Sequence, residues 1–80
     1  MKAETGWEAV RTAFRCGREL QQLLAVLKAD CDPHEYRAFS VGIARAIDTI
    51  NVELIDRSIA RHPELRSRLE AELARDGRVG

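Results

Sequence analysis

The stretch Leu27-Lys28-Ala29-Asp30-Cys31-Asp32-Pro33-His34-Glu35-Tyr36 decides how this chain folds. Asp32 is a favoured N-cap, Pro33 at N1 gives up no hydrogen bond, and Glu35 at N3 suits the positive end of a helix dipole. Cys31 and Tyr36 fall at the N′ and N4 positions of a hydrophobic staple. A helix therefore starts at residue 33. Whatever precedes it must turn back within a few residues.

On both sides of this turn, apolar residues recur every three or four positions, from Thr5 to Asp30 and from Asp32 to His62. Upstream, Val10, Ala13, Gly17, Leu20, Leu24, Leu27 and Cys31 form an a/d seam, and Tyr36, Phe39, Ile43, Ala46, Ile50 and Leu54 form its counterpart. Folding the two antiparallel makes paired positions sum to about 63. Leu27 then meets Tyr36, Leu24 meets Phe39, and Leu20 meets Ile43. Gly17 meets Ala46, predicted as the closest approach of the backbones. Trp7 lands near Arg57, within reach of a cation–π contact.

Other boundaries follow from the same chemistry. Thr5-Gly6-Trp7-Glu8 has the form of a capping box. Pro63 restarts the chain after a break at His62, and Asp76-Gly77 ends a third helix, beyond which the last residues are expected to fray. The reading is a single all-α domain over residues 1–80, with helices at about 6–30, 33–61 and 63–75. It is a long antiparallel helical hairpin with a short third C-terminal helix.

Thirteen basic residues balance 13 acidic ones. Net charge therefore gives no reason to expect nucleic acid or an anionic membrane as a partner, and little to keep copies apart. No apolar run approaches the ~18–20 residues of a bilayer span, and the N-terminus lacks a signal-peptide core, so a cytoplasmic location is expected. Cys16 and Cys31 on one helix would lie roughly 22 Å apart, too far for a disulfide. Free thiols are expected.

The pairing leaves a second apolar stripe, Val41, Ala44, Val52, Ile55 and Ile59, on the far side of the second helix, while Leu23, Val26 and Cys16 widen the stripe on the first. Leu65, Leu69 and Leu73 of the third helix cover one end of the hairpin, not its length. The remainder points to a homodimer, two hairpins forming a four-helix-bundle-like assembly. Asp48 and Asn51 border this stripe, where polar groups fix dimer register.

Candidate chemistry is sparse. Arg11, Arg15 and Arg18 share a face that could contact anions, though Glu8 and Glu19 are placed to pair with them. Cys31 and His34, with Asp30 and Asp32, make only half of a metal motif, and capping and the staple explain Asp32 and Cys31. Asp48, Asp56 and His34 could meet only in a dimer cleft, too scattered for a catalytic assignment. His62 has no partner histidine or nucleophile nearby in sequence and reads as a spacer. No phosphate loop or nucleophile elbow occurs, so no catalytic, cofactor or metal site is assigned. The expectation is a non-enzymatic interaction module of adaptor or regulator type, self-associating or binding a partner helix. The alternative is a nucleic-acid-associated regulator using the arginine stripe.

Overall fold

The computed structural model describes residues 1–79, and among them every regular element is helical. Helix α1 runs Ala3–Asp30 and α2 runs Pro33–Ile50. A π-helical turn, Asn51–Asp56, joins α2 without a break to α3, Arg57–Arg61. Helix α4, Leu65–Asp76, follows a short turn. The expected helical hairpin with a third C-terminal helix is present.

The boundary at Asp32 forms as its residue types dictate. The Glu35 backbone N–H donates to Asp32 Oδ1 at 2.8 Å, and the Asp32 N–H donates to Glu35 Oε1 at 3.2 Å. The bond from the Glu35 N–H favours the ionised Asp32 and holds its carboxyl below the usual range. At the far end Gly77 adopts φ +71° and its N–H reaches the Leu73 carbonyl at 2.8 Å. That left-handed conformation is one L side chains rarely adopt.

Three boundaries differ from expectation. Helix α1 starts at Ala3 with no side-chain cap, leaving Thr5 exposed inside its first turn. Tertiary contact replaces the cap: His62 Nε2 lies 2.9 Å from the Met1 carbonyl, holding the entering chain against α3. Pro63 and Glu64 form a turn, not helix, closed by the Leu65 N–H on the His62 carbonyl at 3.0 Å. Among the described residues the chain after α4 is held as far as Val79. Val79 is 1% exposed, and Arg18 donates to its carbonyl at 3.1 Å.

The core gathers at the end away from the 31–32 turn. Trp7, Val10 and Ala13 of α1 pack with Ile55, Ile59, Leu65 and Val79, and Phe14, Ile50 and Leu69 close its margin. Arg68 stacks over Trp7 with its guanidinium carbon 4.4 Å from the ring centroid and also pairs with Glu4 at 2.8 Å. Arg57, expected over Trp7, instead binds Glu53 at 2.7 Å on the solvent side of the π turn. Leu65 approaches through Gly6, where a Cβ would lie 3.0 Å from Leu65 Cδ1.

The π turn sets the phase of everything after it. The inward row of α2 is Tyr36, Ser40, Ile43, Ile47 and Ile50, in steps of three and four. A regular helix would continue it to Leu54, Ser58 and Arg61. The wider turn inserts one residue, so the row steps from Ile50 to Ile55 and on to Ile59 and His62. Ile55 and Ile59 are 7% and 8% exposed while Leu54 is 40% exposed. Two isoleucines enter the core, Ser58 is buried beside them at 4% exposure, and Arg61 stays in solvent.

The expected seam of α2 is thus partly corrected. Phe39, Ala46 and Leu54 are exposed, and the row turns toward Ser40 and Ile47. Ser40 is tolerated there because its hydroxyl donates to the Tyr36 carbonyl at 2.8 Å. Gly17 is not a point of tight packing, since a Cβ there would meet nothing within 4 Å. It opens a cleft of about 320 Å³, lined by Phe14, Arg18, Ile47 and Asn51, in which the Gly77–Val79 tail lies.

Candidate functional site

Between Cys16 and Ile50 only one residue, Ile43, is buried. Two helices side by side cannot bury each other's seams fully, and α4 and the tail reach only the Gly17–Gln21 margin of this half. Both lie on the side of the hairpin that carries Trp7, Phe14 and Arg18. The helical repeat places Cys16, Leu23 and Leu27 on the opposite side of α1, and Phe39, Gly42 and Ala46 on the same opposite side of α2. That side carries no covering element.

It is apolar where it is open. Leu23, Phe39 and Leu54 are 41%, 51% and 40% exposed. Ala38, Phe39, Gly42, Ile43 and Ala46 line a shallow groove of about 340 Å³ along α2. Its floor is low because Ala38, Gly42 and Ala46 recur every four residues, and a Cβ on Gly42 would meet nothing within 4 Å. Beyond Ala46 the Thr49 hydroxyl donates to the Arg45 carbonyl at 3.0 Å, so its polar group is satisfied within the helix. Rims of opposite charge flank this face: Glu19 on α1 and Arg45 on α2 are both exposed, and neither takes part in an ion pair among the described residues.

The association residues expected from sequence divide in two. Val41, Ala44 and Val52 are exposed, the two valines at 42% and 51%. Ile55 and Ile59 are not available to a partner, because the π turn carries them into the protomer's own core. The stripe that periodicity joins is cut at residue 51 by the change of helical pitch. Phe39 and Leu54, which the heptad spacing places in the seam, lie on the open surface instead. Asn51 lines the tail cleft and Asp48 is exposed.

The arginine stripe is largely engaged within the chain. Arg11 binds Glu8 at 2.8 Å and Arg18 binds the Val79 carbonyl, leaving Arg15 exposed. Near the turn, desolvation first, then the carboxylates of Glu35, Asp30 and Asp32, push the Cys31 thiol above its ordinary value. A thiol held protonated is a poor nucleophile and a poor metal ligand. Cys16 and Cys31 are free and half-buried. Among the described residues no three His, Cys, Asp or Glu side chains gather as a metal group, and no helix is long and apolar enough to cross a membrane. Comparison with known proteins finds no matching family model, curated protein or solved structure.

Proposed function

We propose that this chain is a small non-enzymatic helical interaction module that acts by self-association, its two hairpins combining into a four-helix bundle. One observation carries the reading: from Cys16 to Ile50 the hairpin buries only Ile43, while Leu23, Phe39 and Val41 stand at least 41% exposed. Apolar surface on this scale, rimmed by polar groups, is characteristic of interaction sites. A neutral chain meets no long-range repulsion from its own copies. An adaptor or regulator role in the cytoplasm fits such a module. The alternative, a nucleic-acid-associated regulator, draws on weaker support, because two of its three arginines are engaged internally.

Light scattering across a concentration series tests the reading. The expected mass is twice 9.0 kDa, falling toward 9.0 kDa on dilution. A mass of 9.0 kDa at every concentration overturns it.

A further inference from the structure

Building on the self-association reading, we infer that the second copy packs on the Leu23–Phe39 side of the hairpin, with its α1 lying along α2 of the first. Leu23 of each copy fills the other's Ala38–Gly42–Ala46 groove. Three observations select this face and this occupant.

The first is register. Within the protomer, Ala13 and Ile50 meet at the same core and Gly17 and Ile47 line the same cleft, in keeping with level positions that sum to about 63–64. A two-fold axis parallel to the helices preserves levels and lays α1 of one copy over α2 of the other. Leu23 then arrives level with residue 40, over the middle of the groove lined by Ala38, Phe39, Gly42 and Ala46. The molecule carries both a protruding side chain and the hollow that receives it, at matching heights. Every helix of the resulting four has antiparallel neighbours, an arrangement in which the helix dipoles oppose favourably.

The second is charge. Under the same operation Glu19 of one copy arrives level with residue 44 of the other, beside Arg45. Both are exposed and without ion-pair partners among the described residues. The pair forms twice by symmetry.

The third is area. Two helices abreast span about 20 Å and residues 36–54 run about 27 Å. Covering that face removes on the order of 600–800 Å² from each copy once side-chain relief is counted, near the per-partner area of a standard stable interface. On the opposite side of the hairpin, α4 and the Gly77–Val79 tail stand in the way of a second hairpin at one end.

Gly42→Glu separates this interface from the fold. Position 42 is helical and a side chain there meets open space in the protomer, so the variant keeps its helix content and thermal stability as a monomer. Sedimentation equilibrium is expected to show its dimer dissociation constant raised at least tenfold. Glu19→Arg and Arg45→Glu should each weaken the dimer, and the double variant should recover it. Val52→Asp, outside the face, should leave it unchanged. A dimeric wild type whose mass is indifferent to Gly42→Glu overturns this face while leaving self-association standing. A wild type that is monomeric throughout overturns both.

Discussion

Deleting a single residue from the middle of a helix rotates all that follows by about 100° and ordinarily wrecks packing. Deleting Val52 from this chain is expected to be tolerated. The π turn already contains one residue more than a regular helix needs, and Val52 is half exposed within it. Without it, the five-residue step from Ile50 to Ile55 becomes four, and Ile55, Ile59 and His62 keep their places on a continuous α-helix. If the turn did not act as a phase shift, both isoleucines would leave the core. At roughly 1.5–3 kcal/mol for each buried side chain, that loss would be about 3–6 kcal/mol. A domain of 80 residues has in total only about 4–12 kcal/mol of stability, so such a protein would be largely unfolded. The expected change for the Val52 deletion is instead within about 1 kcal/mol, a melting shift of no more than about 4–8 °C. Urea titration followed by helical circular dichroism and by the single Trp7 measures it. Deleting Thr12 from the regular helix α1 is the control, with an expected loss of more than about 2 kcal/mol as the buried Trp7 and Val10 fall out of phase with Ala13. A Val52 deletion that costs about 3 kcal/mol or more refutes the reasoning.

Further outcomes follow from other contacts. Val79→Asp should expel the tail and lower stability by about 2–3 kcal/mol, because a residue 1% exposed would carry an unpaired charge into the core; urea denaturation reads it. Arg68→Ala should cost about 0.5–1 kcal/mol and change Trp7 fluorescence, since the guanidinium sits 4.4 Å over the ring. Gly77→Ala should lower the melting temperature by the equivalent of about 1 kcal/mol, the penalty of placing a Cβ at φ +71°. Asp32 has a lowered folded-state pKa, so its contribution is complete above the unfolded value and disappears as pH falls through the folded one. Asp32→Asn removes that titration, and the variant's urea midpoint should fall less than the wild type's between about pH 6 and pH 2.

The hairpin was legible in the sequence because its decisive signals are local. Asp32, Pro33 and Glu35 specify a helix start through contacts within four residues, and Gly77 specifies an end through its own φ. Spacing alone also pointed to the hairpin, though its seam on α2 is offset from the observed row through Ser40 and Ile47. What sequence could not supply was the phase of the second half of the long rod. Nothing in Asn51–Asp56 announces a π turn: no proline, glycine or serine pair marks it. It exists because Ile55 and Ile59 gain more by entering the core than the wider turn loses. Periodicity counted across that segment assigns Ile55 and Ile59 to the surface and Leu54 to the seam, opposite to the fold.

The candidate site was missed for a related reason. A seam drawn as Tyr36, Phe39, Ile43 and Ala46 tilts about one residue from the observed row, which uses Ser40 and Ile47. Ser40 looks polar in a sequence, yet its hydroxyl is satisfied by its own helix. Read as inward, it releases Phe39 and Ala46 to the surface and exposes the groove. The folding back of Val79 had no signal beyond one apolar residue after a glycine. The single tryptophan found its cation on α4 rather than α3, because the α3–α4 turn brings Arg68 across the end of α1.

Whether two hairpins share one apolar face is read by isotope-filtered nuclear Overhauser spectroscopy on an equal mixture of labelled and unlabelled protein. Contacts between copies are expected from the Leu23 methyls to the Phe39 ring and the Gly42 α-protons. Contacts between copies that instead run through Val41, Ala44 and Val52, or none at all at concentrations where the sample is folded, would contradict the shared face.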